Sequence, residues 1–210
     1  MFACSLDWPG WCRSGKTDEA ALEALAAYAP RYAPVVAEAG TRFPKGAAGS
    51  LEVVERLPGS ASTDFGVPGE AAEADLQPLT KARADRLAAI LRASWTVFDR
   101  VVAGAPPSLR KGPRGGGRDR DAVVEHVLGA EVGYARKLGL RHHQPAAGDR
   151  AAVEAVRASI EAAIRHARRP VPPEPPKAWP YRYAARRLTW HVLDHAWEIE
   201  DRSEPLDDGG

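Results

Sequence analysis

Four segments in the second part of the chain carry apolar residues at intervals of three and four, which places those residues on one face of an α-helix. The segments cover residues 78–103, 119–138, 149–170 and 181–203. In the first of them, the apolar stripe consists of Leu87, Leu91, Trp95, Phe98 and Val102. Since no strand-like segment separates them, each stripe must be buried against another helix, and the pattern predicts a bundle of four helices.

Prolines, glycines and capping residues mark the limits of these helices. Asp119 or Asp121 is the predicted start of the second helix, and Asp149 is the predicted N-cap of the third. The Gly- and Arg-rich segment 110–118 between the first two helices predicts a flexible connection. A proline-rich run, residues 170–180, precedes the last helix.

The beginning of the chain follows a different pattern. Residues 2–6 are a short apolar segment typical of a strand, and residues 7–10 (DWPG) predict a turn after it. Thr17, which precedes two acidic residues, predicts the N-cap of a helix. That helix is expected to break or kink at Pro30 and Pro34, because proline removes a backbone hydrogen bond.

Two further strands are predicted before the bundle. Residues 51–57 (LEVVERL) are a strand candidate that Pro58 and Gly59 end, and residues 63–67 could add a short neighbouring strand. Residues 1–70 are therefore predicted to form a small β-α-β unit ahead of the four-helix bundle, residues 75–204. The expected fold class is α+β.

Composition indicates an ordinary water-soluble chain. Lys plus Arg (29) and Asp plus Glu (28) nearly cancel to +1, so no net field attracts nucleic acid or a membrane surface. No apolar run reaches the length of a membrane span, and the first residues lack the features of a signal peptide. The expected location is the cytoplasm.

Cys4 and Cys12 are the two cysteines, and both lie near the start of the chain. They form neither a disulfide framework nor a paired metal-binding motif. Reduced thiols are expected.

Three histidines are the main candidates for chemistry. His191 and His195 lie four residues apart on the last predicted helix, about 40° apart around its axis, and can share one metal ion. Such a pair also arises by chance on solvated faces, but Leu188 and Ile199 lie beside it and favour an inward orientation. His126 on the second helix shares its face with small residues that leave space, namely Ala122, Gly129, Ala130 and Gly133.

A buried histidine needs partners for both ring nitrogens, so three that converge are best satisfied by a divalent metal ion. Imidazole suits Zn²⁺, Ni²⁺, Cu²⁺ or Fe²⁺. Three protein ligands leave an open coordination position, which is typical of a catalytic site.

Glu198 lies three residues beyond His195 on the same face and is the candidate catalytic residue, as the acceptor of an imidazole N–H or as a base. The alternative is a salt bridge to Arg187 or Arg202. The other acidic, aromatic and histidine residues considered are expected to be structural or solvated, namely Glu131, Tyr134, Tyr183, His142, His143 and His166.

The segments 124–131 (VEHVLGAE) and 190–201 (WHVLDHAWEIED) resemble those of the DinB-like superfamily, over residues 75–204. The resemblance implies a four-helix bundle with one metal ligand, His126, on the second helix and two, His191 and His195, on the last. It also implies an activity like that of members that are transferases and isomerases using the thiols mycothiol or bacillithiol.

A fainter resemblance concerns residues 7–10 (DWPG), Gly15, Thr17 and residues 19–21 (EAA), which are similar to the HicB fold. It implies a small α/β fold at the start of the chain. No toxin-binding role is inferred from it.

The expected function is that of a divalent-metal-dependent enzyme with zinc, nickel or iron. It would be a thiol-dependent S-transferase or isomerase, or a hydrolase, that acts on a small molecule with a low-molecular-weight thiol as co-substrate. The alternative is a non-catalytic module in which the metal stabilises a ligand-binding or protein-interaction surface. A homodimer is compatible with either, and neither nucleic acid nor a membrane is an expected partner.

Overall fold

The computed structural model of the protein describes residues 1–64, 66–112, 116–173 and 175–203. Within these ranges the fold is α+β, with a two-stranded antiparallel sheet and seven α-helices. The elements are β1 (Phe2–Cys4), β2 (Cys12–Ser14), α1 (Asp18–Ala27), α2 (Ala29–Glu38), α3 (Ala61–Asp64), α4 (Lys81–Gly104), α5 (Arg120–Lys137), α6 (Arg150–Arg165) and α7 (Tyr181–Ser203).

The four long helices predicted from the periodicity are confirmed. Thr80 caps α4 by accepting a hydrogen bond from the Arg83 amide (3.3 Å), and Asp149 caps α6 in the same way. Asp119 is the N-cap residue of α5, but its side chain accepts from the Leu109 amide instead of a helix amide. The third helix is shorter than predicted and ends at Arg165, ahead of the proline at 170.

These helices surround one hydrophobic core. Helix α4 packs against α6 and α7, and α5 packs against the same two helices from the other side. Of the 23 residues of α7, 15 are buried, so α7 is the most enclosed helix of the bundle. The core contains large apolar side chains from all four helices, among them Leu91, Trp95, Phe98, Val127, Ile160, Ile164, Leu188, Val192 and Ile199.

The predicted β-α-β order at the start of the chain is wrong. Strand β1 pairs with β2 in a hairpin, with Phe2 opposite Ser14, and the helices follow it. Gly10 allows the tight reversal, since its φ is +88° and a Cβ there would lie 2.6 Å from Thr189. Thr17 caps α1 as predicted, accepting from the Ala20 amide at 3.2 Å.

The strands predicted at residues 51–57 and 63–67 are not formed. Residues 51–57 have no regular secondary structure, and residues 61–64 belong to α3; Phe65 lies outside the described residues. Val53, Val54 and Leu57 remain exposed. A strand needs a partner for its backbone hydrogen bonds, and this segment has none among the described residues.

The expectation of reduced thiols is also wrong, because Cys4 and Cys12 form a disulfide. The hairpin register places the two residues directly opposite each other. The pairing was missed because β2 was not predicted.

The hairpin with α1 and α2 packs onto the outer side of the bundle. A second hydrophobic core joins Trp11 and Tyr32 to Ala93 of α4 and to Leu193 and Trp197 of α7. Its polar atoms are satisfied internally, since Trp11 Nε1 donates to the Leu25 carbonyl (2.7 Å) and the Tyr32 hydroxyl donates to the Pro9 carbonyl (2.6 Å). Helix α7 therefore lies between two cores. None of the helices in the described ranges has the length and apolar character needed to cross a membrane.

A buried ion pair links the segment between α3 and α4 to α7. Asp75 lies in a short 3₁₀ helix (Glu73–Leu76), accepts hydrogen bonds from Arg186 and also accepts from the Ala72 amide. Both charged residues are buried, so each depends on the other for charge compensation.

Replacing one member of this pair should destabilise the fold strongly. Asp75→Ala leaves the Arg186 guanidinium buried without its carboxylate, which should lower the free energy of unfolding by about 3–5 kcal/mol. Lys81→Ala, which removes an exposed partner of Asp85, is the matched control and should have little effect. Urea denaturation measures both, and equal midpoints for the two variants would contradict the assigned role of the buried pair.

Candidate metal centre

The structure brings together the three histidines selected from the sequence. His126 Nε2 and His191 Nε2 lie 3.2 Å apart, and the ring centroid of His195 is 4.9 Å from that of His126 and 4.6 Å from that of His191. One potential ligand atom from each residue lies within 4.8 Å of the others. The three imidazoles thus form one cluster.

The antiparallel arrangement of α5 and α7 produces this cluster. His126 meets His191 and His195, while Tyr134, two turns later on α5, meets Trp179 just before α7. Two imidazoles therefore come from consecutive turns of α7, and the third comes from the facing helix. His191 is 6% exposed, and His195 and His126 are partly exposed, so the cluster opens to solvent on one side.

The spacing of the nitrogens fits one ion. Two nitrogens bound at about 2.0–2.1 Å to a tetrahedral Zn²⁺ lie about 3.3 Å apart, close to the 3.2 Å between His126 and His191. The other nitrogen–nitrogen distances are within 4.8 Å. They exceed the tetrahedral distance by at most about 1.5 Å, and rotation of the rings that closed this difference would complete coordination by all three histidines. At 3.2 Å the Nε2 atoms of His126 and His191 can also form an Nε2–H···Nε2 hydrogen bond, in which one neutral imidazole donates and the other accepts.

Glu198 orients the third imidazole. Its carboxylate lies 2.7 Å from His195 Nδ1 and accepts a hydrogen bond from Arg202 Nη1 at 2.6 Å. The bonds from His195 and Arg202 hold the pKa of Glu198 below its usual range, so the carboxylate is ionised and Nδ1 must be the donor. In the neutral tautomer that this bond selects, Nε2 of His195 carries the free lone pair.

Both alternatives considered for Glu198 therefore coexist, because one oxygen meets the imidazole and the other meets Arg202. Arg187, the other arginine considered, lies three turns away on α7 and is not its partner. Arg202 in turn donates to the Arg110 carbonyl at 2.7 Å. This connection was not predicted, since residue 110 lies in the segment expected to be flexible.

That segment lies along the C-terminal end of α7. The Arg110 amide donates to the Arg202 carbonyl, and a Cβ at Gly117 would lie 2.7 Å from the Arg202 guanidinium. Arg110 and Gly117 therefore lie next to Arg202, the partner of Glu198, while residues 113–115 lie outside the described ranges.

The environment keeps two of the imidazoles neutral. Burial lowers the pKa of His191 well below its ordinary value, and the neighbouring His195 and Arg187 lower it further. Burial also lowers the pKa of His126, and the neighbouring His195 lowers it further. A neutral imidazole is the form that binds a metal ion.

The small residues around His126 leave only part of the expected space. A Cβ at Gly133 would meet no atom within 4 Å, but one at Gly129 would lie 2.9 Å from Gln144. Tyr134 lies beside the histidine cluster, with its ring perpendicular to that of His191 and the two ring centroids 5.6 Å apart. Tyr183 instead donates its hydroxyl to the Gly69 carbonyl.

The remaining candidates lie away from the cluster. His142 is partly buried and lies 2.7 Å from the Ser159 hydroxyl, so its predicted solvation is wrong, whereas His143 and His166 are exposed. Glu131 is buried against Arg157 and is structural, as expected. A groove of about 620 Å³ between α4, α5 and α6 has none of the three histidines in its lining.

Comparisons with family models, curated proteins and solved structures found no match to the chain.

The metal-free protein should lose stability as the solution becomes acidic. Histidine in an unfolded chain has a pKa of about 6.5, whereas the folded protein holds the pKa values of His126 and His191 lower. Below about pH 6.5 the unfolded state then binds more protons than the folded state, so this part of the stability is present above that pH and is lost as the pH falls.

Urea denaturation of chelator-treated protein between about pH 5 and pH 8 measures this dependence. His191→Gln removes the group with the larger shift and should give a flatter profile, while His166→Gln, at an exposed position, should leave the slope unchanged. Parallel profiles for the wild type and His191→Gln would contradict the expectation.

Proposed function

We propose that this protein is a divalent-metal-dependent enzyme of the DinB-like type, with His126, His191 and His195 as the metal ligands. The observation that carries the proposal is the convergence of three imidazoles from two facing helices, with two Nε2 atoms 3.2 Å apart. The distribution of the ligands, one on α5 and two on α7, agrees with the arrangement that the sequence resemblance implies.

The protein's own residues prepare the site for the ion. Burial keeps His191 and His126 neutral, and Glu198 fixes the ring orientation and tautomer of His195. Three imidazoles suit zinc, nickel or iron. When bound, such an ion supplies a Lewis acid with an open coordination position for a thiol, water or substrate oxygen.

The proposed reaction class is thiol-dependent S-transfer or isomerisation, or hydrolysis, on a small molecule. The partly exposed side of the cluster gives a ligand access, and the free space at Gly133 lies on the same face of α5 as His126. Glu198 acts through His195 in this scheme, so it is a positioning residue, and its ionised carboxylate is the base nearest to the site.

The purified protein should bind one divalent ion per chain. His126→Ala, His191→Ala and His195→Ala should each reduce the metal content well below stoichiometry, because each removes one of three ligands. Elemental analysis after dialysis measures this. His166→Ala is the matched control and should retain full occupancy, since this histidine is exposed and away from the cluster. A metal content near zero in the wild type, or unchanged content in His191→Ala, would contradict the assignment.

A chelator separates the catalytic role from the structural one. If the ion is catalytic, its removal abolishes turnover in a thiol-transfer assay while the melting temperature changes little, because the two hydrophobic cores persist. A large fall in melting temperature without any metal-dependent turnover would instead support the non-catalytic module.

Glu198→Gln should weaken metal binding by about 10–100-fold, because the neutral amide no longer raises the basicity of His195. Competition with a chromophoric chelator measures the affinity. Glu200→Gln removes a carboxylate from the same helix that pairs with Arg31 on the other side of α7, and should leave the affinity unchanged. If both variants bind metal like the wild type, Glu198 does not position a ligand.

A further inference from the structure

One buried arginine beside the histidine cluster has no anionic partner. Arg187 is 7% exposed, its Nη1 atom is shielded from solvent, and that atom has no hydrogen-bond partner among the described residues. No carboxylate of the described chain lies within salt-bridge distance of it. Arg157 and Arg186, which are buried to a similar degree, are paired with Glu131 and Asp75.

The position of Arg187 relates it directly to the candidate metal centre. It lies one helical turn before His191 on the same face of α7, and its charge contributes to the low pKa of that histidine. Residues four apart on a helix have Cβ atoms about 5–6 Å apart. The side chain of Arg187 therefore leaves α7 on the same face as those of His191 and His195.

Aromatic rings hold the guanidinium in place, while its Nη1 atom remains without a hydrogen-bond partner. Its central carbon lies over the Trp190 ring at 4.5 Å and over the Tyr134 ring at 5.0 Å, and Tyr134 in turn meets His191. Rings over a guanidinium contribute cation–π attraction, but its N–H donors point along the edge of the plane. That edge remains available to a planar acceptor with two oxygens.

Burial without a partner is unfavourable for a charge, so the absence of a carboxylate requires an explanation. The small cavity that Arg187 lines with Tyr183 and Trp190 lies under the hairpin, has a volume of about 10 Å³ and includes none of the three histidines. That volume is close to the lower limit for one water molecule and is too small for a carboxylate. A carboxylate would therefore have to reach the guanidinium from the side of Tyr134 and His191.

We infer that Arg187 binds the carboxylate of a small-molecule ligand whose other end reaches the histidine cluster. The second half of this inference rests on the proposed function; the first half, an anion site at Arg187, does not. A bidentate pair between guanidinium and carboxylate satisfies the free N–H edge and compensates the charge.

The anion site is tested first on the metal-free, full-length protein with acetate as the probe. Acetate should bind to the wild type, with magnetisation transfer from its methyl protons to the ring protons of Tyr134 and Trp190. This measurement needs no variant. The inference is overturned if no transfer to these rings occurs at acetate concentrations beyond which the chemical shifts of the protein no longer change.

Variants then assign the binding to the charge. Arg187→Gln should weaken acetate binding by at least about tenfold, the effect expected for loss of a charge-assisted hydrogen bond, and Arg187→Lys should be intermediate. Arg136→Gln, an exposed cation on α5, should bind acetate like the wild type. Equal affinity in Arg187→Gln and the wild type overturns the inference. Inorganic phosphate that binds where acetate does not would overturn the carboxylate assignment.

The relation to the metal centre is tested last, with Co²⁺-loaded protein. Acetate at Arg187 should then show enhanced proton relaxation, and His191→Ala should abolish the enhancement while it retains acetate binding. Binding of acetate without any bound Co²⁺ in the wild type would mean that the proposed function fails and the anion site stands. Bound Co²⁺ without acetate binding would mean that the anion site fails and the proposed metal site stands.

Discussion

The enclosure of α7 between two hydrophobic cores is the constraint on which the candidate site depends. Leu188, Val192 and Ile199 face the core of the bundle, while Leu193 and Trp197 face the core under the hairpin. With these two faces fixed, the remaining face of the helix carries Arg187, His191 and His195 towards α5. A rotation of α7 that moved the histidines out of the cluster would expose apolar side chains from both cores, at a cost of about 25 cal/mol for each Å².

The polar groups of that face are arranged in order along the helix. Arg187 comes first, the two histidines follow, and Glu198 and Arg202 end the row, so a cation lies on either side of the imidazoles. This order has opposite consequences at the two ends. At the end near Glu198, the carboxylate compensates Arg202 and orients His195, whereas at the other end the positive charge is uncompensated by the described chain and lowers the pKa of His191. The site therefore combines neutral imidazoles with an adjacent positive charge.

The bundle and the histidine cluster were predictable because both follow from periodicity. Apolar residues at intervals of three and four identify the long helices, and the same periodicity places His191 and His195 on one inward face. The hairpin and its disulfide were not predictable in this way, because a three-residue strand such as Cys12–Ser14 has too few positions to show an alternation. Residues 51–57 have a strand-like pattern, but the partner that would make them a strand is a tertiary property. Arg187 was considered only as a partner for Glu198, and its isolation depends on which carboxylates the fold brings near it.

X-ray absorption spectroscopy of the protein loaded with one equivalent of zinc tests coordination by the three histidines, because it reports the ligands of the ion without any assumption about the reaction. We expect three imidazole nitrogens at about 2.0–2.1 Å and one further light-atom ligand from solvent. A spectrum with fewer than three imidazoles, or with sulfur ligands from the protein, would contradict it.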